Sequence, residues 1–150
     1  MKPFKVRRCR ECGDGSIRPF AKPGRTMPYR TMPALAIPAE LAIPTCDRCG
    51  AEWIDEQTTT LLDDALEKEY RVALRARLDA ALQRIGEMDE VSRRKIERLL
   101  GLSEGYLSRV AHDRGNPSAQ LVSALALVAR DPKRRISELE RLWGEEYLAA

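Results

Sequence analysis

Two short segments, Cys9-Arg-Glu-Cys12-Gly13 and Cys46-Asp-Arg-Cys49-Gly50, repeat one device, and they limit what this chain can fold into more than anything else in it. A C-x-x-C turn aims both sulfurs at one point, and the glycine after the second cysteine tolerates the backbone conformation that closes the turn. Two such turns supply four thiolates, enough to saturate a tetrahedral zinc and leave no open position. The spacing therefore predicts one structural zinc on Cys9, Cys12, Cys46 and Cys49. Iron of the rubredoxin type is the rival, because its four-sulfur turns are alike. The N-terminus is basic but no apolar run follows it, and no stretch approaches the length of about eighteen apolar residues that a membrane span needs. Neither export nor membrane insertion is expected. Metal is then favoured over disulfides, and the expected compartment is the reducing cytoplasm.

Between the knuckles lie 33 residues, Gly13 to Thr45, punctuated by Pro19, Pro23, Pro28, Pro33, Pro38 and Pro44. Prolines at that density exclude a long helix and leave short extended strands, a ribbon of edge strands. The apolar run Leu35 to Ile43 is open to two readings: a small core for the ribbon, or an exposed strand for a protein partner. Trp53 and Ile54 are expected to pack against the ribbon. From Asp55 the composition changes. Asp55, Thr58 and Thr60 are alternative helix N-caps, and Leu62, Leu66, Tyr70, Ala73, Leu74, Leu78, Ala81, Leu82 and Ile85 keep a helical period, which predicts one long helix or two in line. Asp63, Asp64, Glu67 and Glu69 read as a solvated face. Charge follows the same division: residues 1–50 carry a net +6, residues 51–90 a net −6 and residues 91–150 a net +3.

The stretch Ser92 to Arg114 reads as a helix-turn-helix. Ile96, Leu99 and Leu100 recur at i, i+3 and i+4, so a first short helix has one apolar stripe, which Gly101 stops. Ser103 stands where an N-cap belongs, and a short Gly-containing turn of about three residues then separates the two helices. On the second helix Leu107, Val110 and Ala111 share one side, whereas Gly105, Ser108, Arg109 and His112 share the other. Short or hydrogen-bonding side chains facing outward are what a helix needs to reach base edges in a major groove, and Arg109 is the best reader among them. Arg93 and Arg94 open the preceding helix, which in this motif crosses the backbone, so phosphates are their natural partners. Further along, Asn116-Pro117-Ser118 starts a helix that is apolar nearly all round from Leu121 to Ala129, Asp131-Pro132 ends it, and Ser137-Glu-Leu-Glu140 reads as a capping box opening a last helix. Leu139, Leu142, Trp143 and Tyr147 there are either core or a dimer seam.

Leu99-Leu100-Gly-Leu-Ser-Glu-Gly-Tyr-Leu-Ser-Arg-Val, followed by Arg-Gly-Asn-Pro-Ser, resembles the phage-repressor-like (XRE) helix-turn-helix family, a five-helix domain, over about Arg71 to Pro132. Three places depart from the family pattern: Arg93 where glutamine is usual, Glu97 where the close helix contact has alanine, and Ala111-His112-Asp113 where a Glu and a Gly are usual. The whole order, cysteine ribbon, connecting helix and repressor-like domain, is similar to the MqsA-type antitoxins with their YgiT-type zinc finger. The resemblance implies Cys9, Cys12, Cys46 and Cys49 as metal ligands and Ser103 to Arg109 as the reading helix. It also implies a ribbon that blocks a toxin, often a ribonuclease, and a C-terminal domain that dimerises and represses the operon.

These readings predict a mainly α chain. It comprises a zinc ribbon of short β strands at 1–54, a helical connector at 55–70, and an all-α five-helix domain at 71–150 for DNA binding and dimerisation. The expected DNA-binding residues are Arg93, Arg94, Ser103, Glu104, Gly105, Tyr106, Ser108, Arg109, His112 and Arg114. The expected partners are a palindromic double-stranded operator, a second copy of the chain and a ribonuclease-like toxin, with no membrane. A transcription factor without a toxin is the alternative. An enzyme is not expected: the sole histidine belongs to the reading helix, no cysteine is left over as a nucleophile, and there is no Gly-rich phosphate loop.

Overall fold

The structure is a computed structural model that describes residues 4–88, 91–112 and 116–144. Five short strands come first: β1 (Arg7–Arg8), β2 (Ser16–Ala21), β3 (Thr26–Tyr29), β4 (Met32–Ala36) and β5 (Ala42–Cys46). Five helices follow: α1 (Glu56–Gly86), α2 (Arg93–Leu99), α3 (Tyr106–Ala111), α4 (Ala119–Arg130) and α5 (Pro132–Leu142). Helices cover only about half of the described residues, so the mainly α expectation holds in part; the N-terminal portion is antiparallel β. The chain divides into two compact units, Met1–Tyr70 and Arg71–Ala150. Residues 55–70, expected as a connector, begin α1 and belong to the first unit.

In the first unit β2 is central in a sheet of order β1-β2-β5, and its register sets Ile17 between Arg7 and Cys46. β3 and β4 form a separate hairpin. The proline spacing anticipated strands of this length, and the run Leu35 to Ile43 resolves in favour of core: Leu35, Ile37 and Ile43 are all buried. Trp53 packs on the cluster of Cys9, Ile17 and Cys46, but Ile54, expected beside it, is exposed.

α1 is one unbroken helix of 31 residues. Asp55 wins the competition to cap it, its Oδ1 accepting from the Thr58 amide at 2.9 Å. Leu62, Leu66, Tyr70, Leu74, Leu78, Ala81 and Ile85 are buried at spacings of three and four, one stripe along the helix. Asp63 and Asp64 are exposed as expected, yet Glu67 is not part of a solvated face. It accepts from the Tyr29 hydroxyl at 3.2 Å and pairs with Arg30 at 3.0 Å, while Tyr70 meets Thr31 at 3.0 Å, so the β3–β4 hairpin is clasped to the first half of α1.

In the second unit Ser92 caps α2, accepting from the Lys95 amide at 3.2 Å. Gly101 ends that helix in a Schellman arrangement, with Leu102 N–H donating to Glu97 O at 2.8 Å and Gly101 N–H to Arg98 O at 3.2 Å. Ser118 caps α4. That helix buries Leu121, Val122, Leu125, Val128 and Ala129 but leaves Leu127 exposed, so it is amphipathic rather than apolar all round. α5 begins at Pro132, with the Asp131 side chain accepting from the Arg134 amide at 3.3 Å. The Ser137–Glu140 capping box therefore lies inside the helix, because Asp131 followed by Pro132 is already a complete start signal nearer the N-terminus. Within this unit Trp143 Nε1 donates to Leu99 O at 3.0 Å, and Lys95 pairs with Glu140 at 2.7 Å, tying α5 to α2.

Candidate metal centre and nucleic-acid interface

The four cysteines converge. Cys9 Sγ and Cys49 Sγ stand 3.7 Å apart, Cys12 Sγ and Cys46 Sγ 3.8 Å, and all four sulfurs lie within 4.8 Å of one another. Sulfurs at about 2.3 Å from a tetrahedral centre sit about 3.8 Å from each other, so the set has the spacing of vertices around a single ion. Both knuckles have the same backbone: Gly13 N–H donates to Cys9 O and Gly50 N–H to Cys46 O, each at 3.1 Å, with φ of 72° and 75° at the two glycines. Those angles are left-handed, which is why glycine follows each second cysteine.

A residue that spacing alone did not single out completes the centre. Gly15 sits so close to the second knuckle that a Cβ there would lie 2.3 Å from Cys46 Sγ. Its carbonyl accepts from Cys9 N–H at 2.8 Å and its own N–H donates to Cys12 Sγ at 3.4 Å. Asp47 Oδ1 accepts from Ser16 N–H at 2.8 Å, and Arg48 pairs with Asp14 at 2.7 Å, so the two residues inside the second knuckle also hold the segment that follows the first.

The sulfurs differ in acidity. The Asp14 amide, and after it the Gly15 amide, favour the Cys12 thiolate and bring that thiol down to about 6. The Cys49 and Arg48 amides lower Cys46 in the same way. Cys49 is assisted by the Ala51 amide, but the neighbouring Cys46 sulfur, burial and the other two thiols outweigh that and push it up to about 12. Four thiolates cannot all lie this close without a cation among them, and a metal entering the site displaces the remaining protons.

In the second unit, α2 and α3 are joined by Leu100–Gly105, a longer turn than three residues. Ser103 is not the side-chain cap of α3. Gly105, at φ 74°, precedes the helix, and the capping group comes from α2: Glu97, 2% exposed, accepts from Gly105 N–H through Oε2 at 2.9 Å and from Leu107 N–H through Oε1 at 2.8 Å. Glu97 thus has a local structural function. The carboxyl group satisfies two amides that the first turn of a helix leaves open. A glutamate beside Ile96 on an otherwise apolar stripe was the available signal.

Leu107 and Val110 are buried and Ala111 half-buried, as the helical face predicts, while Arg109 and His112 are exposed and Gly105, Tyr106 and Ser108 half-buried. Arg109 folds back over its own turn, donating to Glu104 O at 3.2 Å and Ser103 Oγ at 3.1 Å, with its guanidinium 5.9 Å from the Tyr106 ring. His112 Nδ1 lies 2.7 Å from Ser108 O. Arg94 pairs with Glu104 at 2.9 Å, both mostly in water, and Arg93 is exposed at the start of α2. The Arg75 guanidinium donates to Val110 O at the end of α3. Arg94, Ser103, Glu104 and Arg109 therefore meet at the α2–α3 turn, whereas Arg93 borders a separate hollow with Ala111 and His112, and Arg114 lies outside the described residues. Among the described residues no helix is long and apolar enough to cross a membrane. No family model matches this chain, and no curated protein or solved structure does either.

Proposed function

We propose that this protein is a sequence-specific DNA-binding repressor that acts as a homodimer, and that a zinc-stabilised ribbon gives it a second role as the antitoxin of a ribonuclease-like toxin. The observation that carries the DNA-binding reading is the α2–α3 pair. Leu107 and Val110 anchor α3, the Glu97 carboxyl fixes its first turn, and Arg109 stands on the outward side. Its bonds to Ser103 and Glu104 are exposed and exchange readily for a base edge, where the guanidinium fork fits guanine O6 and N7. Leu127, Leu142 and Trp143, apolar and exposed on the second unit, support a dimer surface, and a two-fold protein suits a palindromic operator. Zinc is the reading for the metal because the donors are all thiolate, and a closed four-sulfur shell leaves nothing for substrate. The toxin rests on the resemblance of the ribbon-then-repressor order to MqsA-type antitoxins.

The test is a pair of titrations on operator and scrambled duplexes at several salt concentrations. Arg109→Ala costs about 1–3 kcal/mol per half-site on the operator and much less on scrambled DNA, whereas Arg94→Ala weakens both about equally and lowers the salt slope by about one unit per lost phosphate contact. Equal losses on both duplexes for Arg109→Ala would remove α3 from the major groove. Co-purification from the native host tests the toxin: a stoichiometric small ribonuclease is the expected companion, and its absence leaves a regulator without one.

A further inference from the structure

Along β2, Ile17 goes inward to the cysteine cluster, so Arg18 and Phe20 stand on the opposite face of the sheet. There they border a groove of about 790 Å³ whose lining takes in Cys46 and Cys49 at one end and whose charged side chains are otherwise Arg18, Lys22, Arg25 and Arg48 against Asp47 and Glu52. The two carboxylates are already engaged, Glu52 by Arg25 at 3.4 Å and Asp47 by the Ser16 amide at 2.8 Å. Arg48 has only an exposed pair with Asp14, and Arg18 and Lys22 have no partner among the described residues. Arg18 and Lys22 therefore bring two unpaired cations to the end of the groove where Phe20 stands.

Phe20 gives that charge a direction. Its cross-strand neighbour Ile43 is buried, yet Phe20 itself is 52% exposed, so the ring is not needed for the core. What holds it is Arg25, whose side chain is only 11% exposed. Its Nη1 donates to Phe20 O at 2.9 Å, its Nη2 to Thr45 Oγ1 at 3.4 Å, and its guanidinium carbon lies 5.6 Å from the ring centroid. A nearly buried arginine thus positions a largely exposed aromatic ring at the edge of a cationic groove.

We propose that this groove binds single-stranded nucleic acid, with Phe20 as the stacking platform and Arg18, Lys22 and Arg48 on the phosphates. An open aromatic face pairs with an open base face, which a duplex keeps inside its stack, and a concave channel follows a single backbone better than a double helix. An acidic protein segment would satisfy the cations but has no use for the ring. The inference depends neither on the helix-turn-helix reading nor on which metal fills the ribbon.

The experiment uses the full-length, metal-loaded chain and fluorescence anisotropy with short labelled oligothymidylate and oligouridylate, a blunt duplex and a polyglutamate peptide. Phe20→Leu is expected to weaken single-strand binding by roughly five-fold or more and to leave duplex binding unchanged, while Phe20→Tyr retains it. Arg18→Glu combined with Lys22→Glu weakens single-strand binding further and flattens its salt dependence. All sites are on the surface, and each variant's metal content and circular dichroism report whether the ribbon has kept its fold. Absent binding of the oligonucleotides overturns the proposal, as does binding indifferent to Phe20→Leu or an equal loss on the duplex. Polyglutamate binding that falls with the charge reversal, alongside oligonucleotide binding that ignores the ring, assigns the groove to an acidic protein instead.

Discussion

Glu97 places a carboxyl group among apolar side chains, where it survives only because each oxygen has an amide to accept from. Glu97→Ala leaves the Gly105 and Leu107 amides without an acceptor and is expected to cost about 1–3 kcal/mol of stability. Glu97→Gln keeps one acceptor oxygen and loses less. Denaturant unfolding should rank wild type above glutamine above alanine; an alanine variant as stable as wild type would show that the two bonds carry no net weight. Gly15 is the corresponding residue of the ribbon, constrained by space rather than by hydrogen bonding. With a Cβ position 2.3 Å from Cys46 Sγ, Gly15→Ala must displace one of four ligands. It is expected to release its metal to a chelator at lower concentration than wild type does, and to lose about 1–3 kcal/mol from the forced repacking. Unchanged metal retention would mean that the second knuckle can shift aside.

Helix ends show what a local signal can and cannot specify. The Asp55 cap is local, a side chain bonding three residues onward, and its consequence for pH follows directly. The Thr58 amide, and then the Thr58 hydroxyl at 2.8 Å, hold the Asp55 carboxyl below the usual carboxylate range. A carboxyl lowered on folding contributes stability that is complete above its ordinary value of about 3.9 and disappears as pH falls through the lower folded value. Asp55→Asn keeps an acceptor oxygen but loses the titration. The difference in melting temperature between wild type and Asp55→Asn should therefore be constant near neutrality and shrink below about pH 4; a difference that did not change there would place the cap elsewhere. The same locality made the end of α2 at Gly101 and the start of α4 just after Asn116-Pro117-Ser118 legible from residue order. The start of α3 was not legible, because its capping group is the Glu97 side chain on another helix, while Ser103 offered a nearer but unused oxygen. α5 was misplaced for a different reason: two valid start signals lie in one stretch, and the earlier, Asp131 followed by Pro132, pre-empts the later. The strands of the ribbon were foreseeable from proline spacing, but their register was not, since Ile17 meets Cys46 across the whole insert between the knuckles and no short turn fixes that pairing.

At the scale of the whole molecule, the cysteines were readable because a metal imposes its own spacing on each knuckle, whereas the groove beside Phe20 arises only when β2 and β5 pair. The two units also differ in what holds them. The second has its own buried residues on every described helix, among them Leu78, Ile96, Leu107, Leu125 and Ile136. One face of the β1-β2-β5 sheet of the first closes on Cys9, Ile17 and Cys46, with only Phe4, Cys12, Ala51 and Trp53 half-buried against them, so on that face the core is largely the candidate metal site itself, while Ile43 of β5 is buried on the other. A sheet this small cannot bury enough apolar surface to offset its chain entropy without the ion. Cys46→Ser should accordingly lose its metal and, by hydrogen exchange, the amide protection of β2 and β5. The amides of α2 and α4 should exchange as slowly as in wild type, and duplex DNA binding should persist. Protection lost together in α2, α4 and the ribbon strands would show instead that the units fold as one cooperative body, and that the metal supports the DNA-binding unit as well.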